Sequence, residues 1–146
     1  MAPNQRSEIV MSEAEVARFL EQSRVATMAT VGHDGLPHLV AMWFGLVDGR
    51  IYFETKAKSQ KAVNLRRDPR IVVSVEAGDT YDQLRGVMLK CAAAIHRDPE
   101  VVAGVGTELA ARYSGGGHVT PAQAAKRVAL QFVVKEIASF DHRKLG

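Results

Sequence analysis

One cysteine, one tryptophan and no long apolar run set the first limits on this chain. Cys91 has no partner for an internal disulfide. It lies in an apolar stretch, VMLKCAAAI, with nothing beside it to activate a thiolate, so a buried, inert thiol is expected. So little cysteine fits a cytoplasmic location. The longest apolar run, LVAMWFGLV, is too short to cross a bilayer, and the opening MAPNQRSEIV lacks a signal peptide's apolar core. Membrane association is therefore not expected. The histidines His33, His38, His96, His118 and His142 are scattered without ligand spacing and no cysteine pair exists, which argues against a metal site. No GxSxG motif is present, and Cys91 has no nearby partner for nucleophilic catalysis. The glycine run Gly115–Gly117 follows no strand, so it reads as a flexible connection rather than a phosphate cradle.

What the chain does have is an ordinary globular composition. Its 146 residues suit one domain, with 47% hydrophobic and 24% charged residues and a net charge of +3. The mild basic excess favours anionic ligands. We divide the chain into an N-terminal tail, 1–11, and a single cofactor-binding domain, 12–146. SEAEVARFLEQS reads as a helix, with Ser12 and Glu15 forming a capping box. RVATMATV, LPHLVAMWFGLV and RIYFET read as three strands, joined by turns at His33–Gly35 and Asp48–Gly49. After a second helix come RIVVSVE and RGVMLKCAAAIH, then a helix opened by Asp98 and Pro99, then a sixth strand in KRVALQFVVKEIASFDH. Six mostly antiparallel strands with helices outside predict a small β-barrel. LVAMWFGLV and IVVSV do not alternate apolar with polar residues, so both faces of these strands are expected to be covered. A second copy of the chain is the simplest cover, and a homodimer is predicted.

The segment ETKAKSQKAVNLRRDPR poses an electrostatic problem. Taking Ser59 as N-cap, a helix runs from Gln60 to Arg67, where Asp68-Pro69 stops it. Lys56, Lys58 and Lys61 then crowd the positive end of the helix, where a cation costs roughly 0.3–1 kcal/mol. The charge pattern admits two readings. One is a solvated charge run, screened by salt. The other is a phosphate held by free N–H groups, the Ser59 hydroxyl and the lysines together. Nucleic-acid backbone binding is disfavoured, because the cluster has no interleaved aromatics. Met42, Trp43 and Phe44 lie on the strand that hairpins into this region. They can form either core or a flat apolar slot for an aromatic ring system with a phosphate tail.

These segments together resemble the pyridoxamine-phosphate-oxidase-like split β-barrel superfamily, and within it the flavin/deazaflavin oxidoreductase branch that uses coenzyme F-420. The resemblance runs from about Ser12 to Gly146 and is most specific in SQKAVNLRRDPR and FDHRKLG. It implies a mainly β fold with flanking helices: a six-stranded antiparallel split β-barrel, FMN-binding-like and homodimeric. It places the cofactor phosphate at Lys56, Lys58, Ser59, Lys61 and Asn64. The ring system lies along Pro37, His38, Val40, Ala41 and Met42, and Tyr81 closes the pocket, across the dimer interface. The vitamin-B6 substrate segment of true pyridoxamine-phosphate oxidases is not found here. The implied function is an oxidoreductase in which reduced F-420 gives a hydride to a small electron-poor substrate: a tetrapyrrole such as biliverdin, a quinone or an enone. FMN is the alternative cofactor, and a non-catalytic flavin-, deazaflavin- or haem-binding protein the alternative role. Hydride transfer needs no diagnostic side chain, so catalytic residues stay unassigned; His38, Tyr81 and His142 are the candidates for a proton donor.

Overall fold

Capping, turn and alternation signals lay out the described residues of the computed structural model, 5–113 and 115–146. Positions 1–4 of the expected tail and position 114 of the glycine-rich connection lie outside the described residues. A short helix α1 (Gln5–Glu8) precedes α2 (Glu13–Gln22). The Ser12 Oγ accepts from Glu15 N at 3.2 Å and Ser12 N donates to Glu15 Oε1 at 3.1 Å, completing the capping box. One face of α2 buries Val16, Phe19 and Leu20. The strands follow as β1 (Val25–Val31), β2 (Pro37–Trp43), β3 (Gly45–Val47) and β4 (Arg50–Lys56). Helix α3 (Gln60–Arg67) leads to β5 (Arg70–Ala77) and β6 (Arg85–His96). Helices α4 (Pro99–Tyr113) and α5 (Pro121–Ala124) precede the long β7 (Arg127–Asp141). Single 3₁₀ turns stand at Tyr81–Gln83 and His142–Leu145.

The described residues form one antiparallel sheet of seven strands in the order β2-β1-β5-β6-β7-β4-β3. The expectation of six strands is corrected here, because the apolar run LVAMWFGLV is two strands rather than one. Trp43 pairs with Val25 on β1, whereas Gly45 pairs with Tyr52 on β4. The segment changes partner at Phe44, so its two halves form the opposite edges of the sheet and bring them together. Asp48 and Gly49 take φ values of 51° and 75°, the left-handed pair that a two-residue hairpin turn needs between β3 and β4.

Phe44 is 1% exposed and points into the barrel core with Phe53, Met28, Leu89 and Leu130. The C-terminal turn of α4 fastens this corner from outside. Phe44 N donates to the Tyr113 hydroxyl at 2.9 Å, and that hydroxyl also bonds the carbonyls of Arg24 and Phe44. The Arg112 guanidinium stands 5.0 Å from the Phe44 ring centroid and donates to the carbonyls of Leu20 and Ser23. At Gly45 a Cβ would stand 3.1 Å from Leu109 Cδ2, so glycine lets α4 sit close against β3. A second, smaller cluster of Val102, Ala103, Val105, Ala124 and Ala129 packs α4 and α5 onto the outside of the sheet.

Once the segment is divided at Phe44, alternation returns to β2. His38, Val40 and Met42 are half-buried, while Pro37, Leu39, Ala41 and Trp43 are exposed. The exposed set is apolar, with Leu39 65% and Trp43 59% exposed, and Val25 beside Trp43 is exposed as well. Helix α4 covers only the Trp43 end of that outer face, through Tyr113, and Leu39 and Val25 stay exposed.

Truncating the corner residue should be costly. Phe44→Ala is expected to lower unfolding free energy by about 3–5 kcal/mol in urea denaturation. A loss below about 1 kcal/mol would mean that the corner does not depend on the buried ring.

Candidate functional site

Helix α3 starts where β4 ends. Ser59 has extended dihedrals (φ −62°, ψ 153°), and its Oγ accepts from Ala62 N at 3.3 Å as the N-cap. Thr55 Oγ1 donates to Ser59 Oγ at 3.2 Å, which orients the cap from below. The N–H groups of Gln60 and Lys61 lie beyond the reach of the helix's own carbonyls. Beside Ser59 and Lys61 a hollow of about 400 Å³ is lined also by Lys56 and Lys58, with Met42, Glu54, Thr55 and Arg127 completing its walls.

The cations here are poorly balanced. Lys56 and Arg127 are directly opposed in the β4–β7 register, an unfavourable cross-strand pair. Among the described residues, none of Lys56, Lys58 and Lys61 has a carboxylate within ion-pair distance; the acidic partner in the hollow, Glu54, pairs with Arg127 at 3.3 Å. No acidic residue occupies the first turn of α3, while Arg66 and Arg67 sit at its favourable C-terminal end. Burial pushes the Lys61 ammonium below its ordinary lysine range. An anionic group at this place would relieve all of these costs.

The hollow adjoins a larger cleft of about 840 Å³, and Met42, Glu54 and Arg127 form the wall common to both. Ala41 and Met42 form the strand side of this cleft, and α4 and the following loop supply Leu109, Tyr113, His118 and Val119. The Trp43 and Tyr113 rings stack with centroids 4.7 Å apart and planes 3° apart. The same tyrosine hydroxyl that fastens the Phe44 corner thus fixes an aromatic wall. The combined shape is an apolar slot with a cationic anchor at one end, of the size and polarity suited to a flat ring system carrying a phosphate.

Lys56, Lys58, Ser59 and Lys61 therefore line one hollow and Ala41 its neighbour, with Met42 on the wall between them. The other expected positions lie elsewhere in this chain. Val40 packs on the barrel core, and the half-buried His38 has its Nδ1 without a partner. Pro37 lines a separate hollow with Arg70 and Lys90. Asn64 is fully buried, donating from Nδ2 to Thr30 Oγ1 at 3.0 Å and accepting from Gln60 Nε2 at 2.7 Å, on the barrel side of α3. Tyr81 is 76% exposed on its 3₁₀ turn, where its ring stands 4.4 Å from that of His142.

Three elements of the cleft escaped the sequence reading. Glu54 and Arg127 stand between its two ends, and Tyr113 stacks on Trp43. Alternation in RIYFETK does carry the first signal, since it puts Tyr52, Glu54 and Lys56 on one outward face. Burial raises the Glu54 carboxyl above its ordinary range, opposed by the Arg127 charge.

With the fold and cleft in view, comparison with known proteins gives a class. The family described as pyridoxamine 5'-phosphate oxidase matches residues 12–141. The chain belongs to that family. Among solved structures it is similar to Rv2991 from Mycobacterium tuberculosis, with 51% identity, 97% of this chain and 91% of that one covered, and a TM-score of 0.90. An F-420 reductase is 28% identical over 82% of this chain and 93% of its own, with a TM-score of 0.67. A FAD-binding protein from Mesorhizobium loti shares the fold at 18% identity, with 89% and 94% covered and a TM-score of 0.67. No curated protein matches the chain.

The shift at Lys61 has a measurable consequence. An ammonium depressed by burial is partly neutral at alkaline pH, and a bound phosphate restores its charge. Inorganic phosphate binding should take up protons above neutrality, and affinity should fall as pH rises through the Lys61 value. Calorimetry in two buffers of different ionisation enthalpy reads the uptake. An affinity flat from about pH 7 to about pH 10, with no buffer dependence, would remove Lys61 from the anion site.

Proposed function

We propose that this chain is an oxidoreductase using the deazaflavin coenzyme F-420 to reduce a small electron-poor organic substrate. The observation that carries the reading is the adjacency of the lysine-lined helix start to the apolar slot beside Ala41 and Met42, with Met42, Glu54 and Arg127 lining both. The similarity to an F-420 reductase supports the choice of coenzyme.

When bound, the reduced coenzyme supplies a hydride. The residues of the chain supply position and environment. The amides that open α3, with Lys56, Lys58 and Lys61, hold the phosphate. Ala41 would support the ring system from the exposed face of β2, with Met42 at the edge of the barrel core beside it, and Trp43 stacked on Tyr113 would close the apolar end. Excluding water from such a slot protects a hydride donor and strengthens every charge within it. A quinone, an enone or a linear tetrapyrrole fits the remaining space chemically, since each is flat and accepts an electron pair at carbon. FMN, with a phosphate and a tricyclic ring, fits the same anchors, and the test includes it.

The bare outer face of β2 and β1 supports a second part of the proposal. Val25, Leu39 and Trp43 lie exposed together across the β1–β2 pair, and a second copy of the chain would cover them. In such a homodimer Tyr81, exposed on its turn, would reach the partner's cleft. Light scattering at micromolar concentration is expected to give twice the chain mass, and a monomeric mass would contradict the dimer.

Fluorescence titration tests the coenzyme. F-420 should bind, and Lys61→Glu should weaken it at least about tenfold, or about 1.4 kcal/mol, with little change in unfolding midpoint. Normal binding by the variant would move the anchor away from the helix start. Binding of FMN alone would replace the coenzyme while keeping the site.

A further inference from the structure

The cleft contains one carboxyl group, at the point where its cationic end meets its apolar end. Glu54 leaves β4 on the outward face, lines both parts of the cleft and is 14% exposed in its side chain. Oε1 faces a single nitrogen, Arg127 Nε, at 3.3 Å. Oε2 accepts no hydrogen bond among the described residues. Helix α4 passes so near that a Cβ on Gly106 would stand 2.9 Å from Glu54 Oε2 and 3.3 Å from the Val119 methyl carbons. One side of the carboxyl group thus rests on an apolar wall kept open by a glycine, and the other on one arginine nitrogen.

A carboxylate is held ionised by two or three hydrogen bonds or by close cations. Glu54 has few of the first, and burial outweighs Arg127 in setting its acidity. The other titratable groups lining the same two hollows are Lys56 from β4, Lys58 from the turn after it, Lys61 from α3, Tyr113 from α4, and His118 from the loop after α4. The three lysines favour the ionised form only while their own charge is unbalanced. A phosphate at the helix start would offset those charges and shift Glu54 further in the direction that burial already favours, toward the protonated form. Occupation of the anchor therefore arms the carboxyl group at the other end of the hollow.

We propose that Glu54 is the proton donor for reduction in this cleft. The proposal rests on the F-420 reading above. In the step, the substrate carbon gains a hydride, two electrons and a proton, from reduced deazaflavin, which is thereby oxidised. The Glu54 O–H bond breaks, and its proton goes to the adjacent substrate atom that has received the displaced electron pair. Glu54 is left as a carboxylate paired with Arg127 and is reprotonated from water. The oxidised coenzyme would release its remaining proton to water, which matches the proton Glu54 takes back, so the two electrons and two protons balance without a further co-reactant.

Two readouts test this. In protein labelled with ¹³C at glutamate carboxyls, with Glu54→Gln used for assignment, the Glu54 signal should titrate above the other glutamates and move higher when inorganic phosphate is added. In single-turnover mixing with reduced F-420 and a quinone or enone, Glu54→Gln should bind the coenzyme within about threefold of wild type. Its hydride-transfer rate should fall at least about a hundredfold and lose the alkaline limb of the pH profile. Glu54→Asp keeps the acid but withdraws it by one methylene, and should lose an intermediate amount; it serves if the glutamine variant does not fold. Unchanged rate and alkaline limb in Glu54→Gln, or a Glu54 carboxyl that titrates with the rest, would overturn the role of Glu54 alone. A wild-type protein that neither binds F-420 nor reoxidises it would overturn the functional reading and this one with it.

Discussion

The partner change at Phe44 governs the rest of this fold. A strand can be hydrogen-bonded to one sheet edge or the other, and a residue that pairs with neither must be held by something else. Here the ring of Phe44 enters the barrel core while its amide and carbonyl are taken by the Tyr113 hydroxyl. Each interaction alone is modest. Together they let one segment supply both edges of a seven-stranded sheet. The closure carries Met42 and Trp43 to the β4 side of the molecule, where Glu54 and the start of α3 lie. The cleft is a product of the closure rather than a separate elaboration.

The electrostatics of the cleft follow from where carboxylates are missing. Some cations elsewhere are paired, as Arg70 is with Asp68, Arg143 with Asp141 and Lys144 with Glu15. Around the α3 start, lysines are gathered without such partners, next to a helix pole of the same sign. Lys56 and Lys58 are exposed, whereas Lys61 is half-buried and its ammonium is held below the ordinary lysine range by that burial. Glu54 is the exception that organises the cleft, placed where the cationic and apolar ends meet and shared with Arg127.

Much of the fold was legible in the sequence because its signals are local. The Ser12–Glu15 capping box, the Ser59 cap, the Asp68-Pro69 stop and the Asp48-Gly49 turn each depend on a few adjacent residues, and each stands where the sequence put it. The break at Phe44 was not legible. LVAMWFGLV is uniformly apolar, and a change of hydrogen-bonding partner leaves no mark on composition. The same distinction divides the cleft. The lysines and Ser59 are contiguous and could be read as one feature. The Glu54–Arg127 and Trp43–Tyr113 pairs join residues distant in sequence, and only the β4–β7 register and the packing of α4 bring them together. Asn64 illustrates the reverse case. It lies within the specific SQKAVNLRRDPR segment, but one helical turn places its amide against Thr30 in the barrel wall.

The central claim is that the opening amides of α3 and the apolar slot beside Met42 form one ligand site. The most direct measurement is an amide chemical-shift map of the labelled protein during titration with F-420. The account predicts the largest changes at Gln60 and Lys61, continuous with changes at Ala41, Met42 and Trp43. Changes confined to another surface, with the Gln60 and Lys61 amides unmoved at saturation, would contradict it.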